Sequence, residues 1–505
     1  MSAPLDPAAF EDRLADYVYE RSEEARAVRV GEKESSEQAA IVFRYSDLFT
    51  RQQLDLLQNA ELASGDGDHE RLFRLSDSCR GGVIASELAE RSDALENAVL
   101  ATMVARNGGE LPLRSAQAQL AVIDEYEERD ALGAAVVAAS AQLNDQRLDL
   151  LASEERLTAQ LTDEPDPVKR SGVLKQLDLR AISGAVSAAS SSLDAGYAEA
   201  RTIWLDRVIG MARDPQPTSA HVSFLRRLSP LATTYTKKRS VPVCLDTLRA
   251  LGLDLHAYPS IRLDLDDRPQ KNPRACVIAS RPPEVVHLIT RAQGGLSDYE
   301  AFLHEAGHAI HYAAAAPSLP YAFRRLARDH ALTEIYSFIV ESVTREPGWH
   351  AEHFDLDEAT ARQNARAASF VELLLFRRYA AKLRYEIEFW SSFAGAATAG
   401  GRYAELVSEA TGFRYPASGY LGDMDGGFYS ADYLRAWVRA AQVRAFFRGR
   451  FGEEWWRSSG TGEWLSDLFA EGTRPSSEEV ARRLGFDSLD TAPLVDELQS
   501  AVADD

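Results

Sequence analysis

Cysteine is scarce: Cys79, Cys244 and Cys276 are the only three in 505 residues, and none forms a CxxC pair. An odd number without paired spacing excludes a disulfide framework and a cysteine-ligated zinc site, and predicts reduced, buried thiols. Positive charge is in deficit. Lys and Arg total 56 against 77 Asp and Glu, a net charge of -21, which argues against nucleic acid or an anionic membrane as partner. Long apolar runs are missing too. The longest, residues 131–141, is Ala-rich and too short to span a bilayer. The N-terminus, MSAPLDPAAFEDRLADY, lacks the basic and apolar segments of a secretion signal. A soluble cytoplasmic protein is expected. No histidine follows His353, so catalytic groups nearer the C-terminus must be of other types.

What remains is ordinary globular composition, 45% hydrophobic and 26% charged, with ample material for a large core. Helical periodicity runs through residues 7–60, 70–106, 114–161 and 170–213, broken at Ser64–Asp68, Asn107–Pro112, Asp163–Pro167 and Asp214–Pro217. No heptad persists, so packed antiparallel helices are expected rather than a coiled coil. The texture changes after Tyr258-Pro259. Ile261–Asp266, Ala275–Ala279 and Glu284–Ile289 are short and β-rich, and predict a small sheet carrying His287. Helices return over 321–343, 357–393, 403–411 and 428–448, with Ala394–Gly401 as a mobile connection. The fold class is mostly α. There is no internal repeat and no clean linker; the division expected is an N-terminal helical lobe, 1–255, and a C-terminal catalytic zinc lobe, 256–505.

The informative stretch is Ala301-Phe-Leu-His-Glu-Ala-Gly-His-Ala-Ile-His311. In a helix, His304 and His308 lie one turn apart on one face, roughly 6 Å along the axis. Two neutral imidazoles so placed can hold one Zn²⁺. Glu305, next to the first ligand, can serve as general base toward a water molecule. The flanking Tyr299, Phe302, Leu303 and Ile310 predict a buried helix, and Gly307 inside it points either to close packing or to room for another group.

A catalytic zinc site needs a third protein ligand. The metzincin pattern requires Gly at 311 and His at 314; the chain has His311 and Ala314, so that pattern fails. Glu334 lies in the apolar run Ala331–Glu341, where a buried carboxylate requires a cation or donors. It is assigned as the third ligand, the alternative being an ion pair with Arg324, Arg325 or Arg328. Glu341, two turns later on the same face, is assigned as acceptor for the free N–H of a ligating imidazole. His311, one turn beyond His308, is expected on the cleft wall in contact with substrate. His330 is expected to be exposed.

Together, HEAGHAIH, a Glu 26 positions after the second His, and the late element Gly426-Gly-Phe-Tyr-Ser-Ala-Asp-Tyr-Leu-Arg-Ala-Trp437 resemble the thimet oligopeptidase and oligoendopeptidase F family of zinc metallopeptidases. The resemblance covers about 255–450 and is thin before that. It implies two helical lobes enclosing a deep channel that admits short or unfolded peptides. It also implies that Tyr429 and Tyr433 donate to the tetrahedral oxyanion, the alternative being two core aromatics. Three departures stand out. Glu334 is followed by Ile335-Tyr336-Ser337-Phe338 where the family has Pro-Ser-Gln. Gly427 or Met424 stands near the family's histidine, and Arg435 or Ala436 replaces a third tyrosine. Turned inward, Arg435 would supply a cationic donor or bind a substrate carboxylate.

The expected activity is hydrolysis of internal peptide bonds by a zinc oligopeptidase. Two alternatives remain. One is a helical metallocarboxypeptidase similar to the thermostable carboxypeptidase family, whose His-Glu-Ser-Gln-Ser motif is absent around Glu334. The other is a homologue that binds zinc and peptide but has lost efficient catalysis. Nothing in the sequence indicates an oligomeric state.

Overall fold

Side-chain caps set where several helices begin. Asp6, Asp166, Asp178 and Asp357 each accept a hydrogen bond from a backbone N–H in the first turn of the helix that follows, and Ser476 with Glu479 forms a reciprocal capping box. The computed structural model describes residues 4–210, 216–268, 270–486 and 489–502. Helices dominate them; the strands described make one two-stranded and one three-stranded sheet. The expected break at Asp214–Pro217 falls partly outside the described residues. No helix among them is long and apolar enough to cross a membrane.

The small sheet lies where the β-rich texture predicts it. Val285–Ile289 is central, with Ile261–Asp264 parallel on one side and Cys276–Arg281 antiparallel on the other. Val286, Leu288 and Ile289 are buried, and His287 hydrogen-bonds Glu23 through Nε2 at 2.8 Å. The helix Leu296–Ala314, which carries the HExxH sequence, follows and packs on the central strand. Gly294 and Gly295 have φ near +90°, and a Cβ on Gly295 would meet the Arg227 carbonyl at 2.8 Å. Only glycine makes this entry without strain.

Two expectations are corrected. Asn107–Pro112 is not merely a break: Met103–Arg106 and Gly109–Pro112 pair as a hairpin, with Asn107 and Gly108 at positive φ in the turn. Ala394–Gly401, expected as a connection between helices, has regular structure of its own. A 3₁₀ turn, Phe393–Thr398, occupies it, with Phe393 stacked on Trp390 at 5.0 Å and Ala396 buried.

The largest core draws on both sides of position 255 and extends from Val168 to Leu498. Tyr235 packs edge-on against Tyr299 and Phe354, and Trp349 against Tyr299. The HExxH helix is thereby fixed by elements from both halves of the chain. The three cysteines are free, and burial pushes the Cys79 thiol up to about 12 and Cys276 up to about 11.

Candidate metal centre

Gly307 sets the separation of the two helices that make the site. A Cβ there would lie 2.8 Å from Ser337 Cα and 3.0 Å from the Tyr336 carbonyl oxygen, so only glycine lets Leu296–Ala314 lie against Ala331–Glu341 this closely. The approach brings Glu334 to the imidazoles. Glu334 Oε2 is 3.3 Å from His304 Nε2 and 3.4 Å from His308 Nε2, and one ligand atom from each residue lies within 4.8 Å of the others. Glu334 is 3% exposed, and its Oε2 is a buried acceptor with no well-formed hydrogen bond. Two nitrogens and one orphaned carboxylate oxygen around a common point are the donor set that Zn²⁺ prefers. The rival arrangement is absent. Arg324 bonds the Leu319 and Pro282 carbonyls, Arg325 the Ala279 carbonyl, and Arg328 the Glu70 carboxylate.

A second layer orients these groups. His304 Nδ1 lies 2.8 Å from Glu341 Oε2, which leaves Nε2 directed at Glu334. The Tyr429 hydroxyl donates to Glu334 Oε1. Burial alone would lower the His304 pKa; the carboxylates Glu334 and Glu341 outweigh it and raise the value well above that of free imidazole. Burial alone would raise the Glu334 pKa; the two imidazoles hold it well below the usual carboxylate range. Each charge is stabilised by the other, and a cation would replace the protons shared among them.

The site opens on a cavity of about 700 Å³. His304, Glu305, Glu341, Tyr429 and Tyr433 line it. Glu305 is partly exposed, one residue from a ligand position. Tyr433 stacks on Tyr379 at 5.1 Å and meets Phe338 edge-on. Burial and the Glu334 charge raise both Tyr429 and Tyr433 above the usual phenol value, so both stay protonated and can donate. They come from one face of the helix Tyr429–Phe451, one turn apart.

Two assigned residues lie elsewhere. His311 is fully buried and does not reach the cavity: its Nε2 bonds the Gly472 carbonyl at 3.0 Å, and its ring meets Tyr336 and Phe469. The helix Ser459–Ala470 closes over that end of the HExxH helix. Arg435, two residues after Tyr433, points to the opposite face. It binds Ser477 and Glu478 at 2.7 and 2.6 Å and Asp329 at 3.3 Å, so it neither donates into the cavity nor meets substrate there. His330 is exposed, beside the Tyr429 ring.

Sequence reasoning missed Glu300, Tyr379 and Arg274 on the cavity wall. Glu300 was findable, since it stands one helical turn before His304. Burial, then the Glu341 charge, pushes its carboxyl up to about 8.

No family model matches the chain, and no curated protein matches its sequence. Solved structures share its fold over nearly the whole length. BsuCP superposes with a TM-score of 0.61 at 14% identity, covering 98% of this chain and 97% of its own. Metallocarboxypeptidase 1 of Trypanosoma cruzi gives 0.61 at 12% identity, covering 98% and 100%. At such identity the likeness establishes a common mostly-α architecture.

Proposed function

We propose that the protein is a zinc-dependent peptidase acting on short or unfolded peptides. The observation that carries this reading is the convergence of His304, His308 and Glu334 beside Glu305, with His304 and Glu305 on the wall of a cavity large enough for a peptide segment. Zinc in such a site lowers the pKa of water and polarises a carbonyl. The chain's own groups supply the rest. Glu305 takes the proton of the attacking water and passes it to the leaving amine. Tyr433, whose hydroxyl has no recorded partner among the described residues, donates to the carbonyl oxygen as charge develops there. Tyr429 holds Glu334 in place and is assigned a positioning role.

Two cleavage modes fit this chemistry. Attack on internal bonds follows from the resemblance of HEAGHAIH, Glu334 and the late tyrosines to oligopeptidases. Removal of C-terminal residues is favoured by the end-to-end likeness to a structure named as a metallocarboxypeptidase. Mass spectrometry of one long peptide digested by the zinc-loaded protein separates them: internal fragments mark the first mode, a ladder shortened one residue at a time the second. Glu305→Gln should retain zinc and lose cleavage. Undiminished turnover in that variant would remove the basis of the assignment.

A further inference from the structure

Asp432 is wholly buried at the start of the helix Tyr429–Phe451, three residues after Tyr429 and next to Tyr433. A carboxylate shut away from water needs a cation and donors of its own. One oxygen, Oδ2, accepts from Lys175 Nζ and, at 3.2 Å, from the backbone N–H of His330. The other, Oδ1, has no well-formed hydrogen bond and lies 3.7 Å from Arg435 Nη1. That guanidinium is already engaged by Glu478 at 2.6 Å and Asp329 at 3.3 Å. Burial pushes the Asp432 carboxyl up to about 6; Lys175 is the largest influence in the other direction, while Asp329 adds a like charge. Lys175 is thus the cation on which Asp432 depends. It ends the helix Pro167–Lys175, in the first half of the chain, and its side chain is only 12% exposed.

The contacts run on to the metal centre. His330 precedes the helix Ala331–Glu341, and its backbone is bonded on both sides: its N–H donates to Asp432, and its carbonyl accepts from the Glu334 N–H at 3.0 Å. The N–H groups at a helix start have no partner within the helix, so an acceptor placed there fixes where the helix begins. Asp432 is one such acceptor; Asp329, which bonds the Ala331 N–H at 2.8 Å, is another. The first turn of the tyrosine helix also carries Tyr429, whose hydroxyl donates to Glu334 Oε1. Glu334 is therefore held twice from that one turn, at its backbone through His330 and at its side chain through Tyr429. Lys175 secures the turn by neutralising Asp432.

We infer that Lys175 is a positioning residue for the metal centre: it pairs with Asp432, and Asp432 sets the His330 backbone from which Glu334 is aimed at the two imidazoles. The inference rests on the metal centre of the peptidase reading and not on turnover. The test is zinc affinity, by competition with a chromophoric chelator, set beside the urea stability of the metal-free proteins. Lys175→Met leaves Asp432 buried without its cation and should weaken zinc binding about 10-fold. Lys175→Arg should keep most of the wild-type affinity. Lys175→Met combined with Asp432→Asn should bind zinc within about 3-fold of wild type, since an amide oxygen accepts from the His330 N–H without a cation. Unchanged zinc affinity in Lys175→Met, whatever its stability, would make the pair structural alone and overturn the inference. A double variant as weak as Lys175→Met, or a Lys175→Arg variant as weak, would overturn it too. Lys175→Gln replaces Lys175→Met if that variant does not fold; failure of both to fold would mark the pair as scaffold and likewise end the inference. Wild-type protein that binds no zinc would remove the inference and the peptidase reading together. The reading alone fails if wild type binds zinc with these dependences yet cleaves no peptide.

Discussion

Tyr429 and Glu334 are joined by a hydrogen bond in which the phenol donates to Oε1, leaving Oε2 turned toward the imidazoles of His304 and His308. One carboxylate thus links the tyrosine helix to the HExxH helix. Tyr429→Phe should weaken zinc binding about 10-fold, the usual cost of losing an outer partner of a ligand. Competition with a chromophoric chelator measures it. Tyr433→Phe should behave oppositely, lowering kcat on the order of 10²-fold with zinc affinity kept. Identical effects from the two variants would argue against the division of roles between them.

Glu341 fixes the His304 ring through Nδ1 at 2.8 Å. Glu341→Ala removes that acceptor and should cost about 10- to 100-fold in zinc affinity. The same competition assay applies, and an unchanged dissociation constant would show that packing alone orients the imidazole.

Gly307 has no room for a side chain, with Ser337 Cα at 2.8 Å from where a Cβ would sit. Gly307→Ala should destabilise the fold by about 1–3 kcal/mol through overpacking, less a small gain in helix propensity. Denaturant unfolding of wild type and variant, both metal-free, gives the difference. Wild-type stability in the variant would mean that the two helices separate at no cost.

Glu386 on the long helix Glu358–Ser391 is fully buried, accepts from Ser430 and the Asp425 N–H, and is pushed up to about 7, burial outweighing the opposing charge of Lys382. Its folded pKa lies above the unfolded value, so the folded state holds the proton more tightly. The group's contribution is therefore complete below about pH 4 and is lost as pH rises through 7. Ionisation then costs roughly 3 kcal/mol. The stability of Glu386→Gln relative to wild type should rise by about that amount between pH 4.5 and 8. Urea unfolding across this range measures it; parallel pH profiles would show that Glu386 does not govern it.

Local signals made much of the site legible from the residues. HExxH spacing, the apolar flanks and an acid at 334 inside the apolar run of Ala331–Glu341 all depend on helical period, and the structure places His304, His308 and Glu334 together. The small sheet was legible because its strands are short, β-branched runs set off from helical texture. What failed depends on distant chain. His311 shares a helix face with His304, but the segment ending at Gly472 covers that end. The fate of Arg435 is set by Glu478 and Asp329, both remote in sequence. Arg274 owes its position to an anchor on Arg29, 245 residues earlier.

The most direct measurement is the zinc stoichiometry of the purified chain, by elemental analysis after dialysis against a weak chelator, for wild type and Glu334→Ala. The geometry predicts one equivalent in wild type and loss of most of it in the variant, because two imidazoles alone make an incomplete catalytic site. Wild-type protein that retains no zinc, or a Glu334→Ala variant that retains a full equivalent, would contradict the assignment of these three side chains as one metal centre.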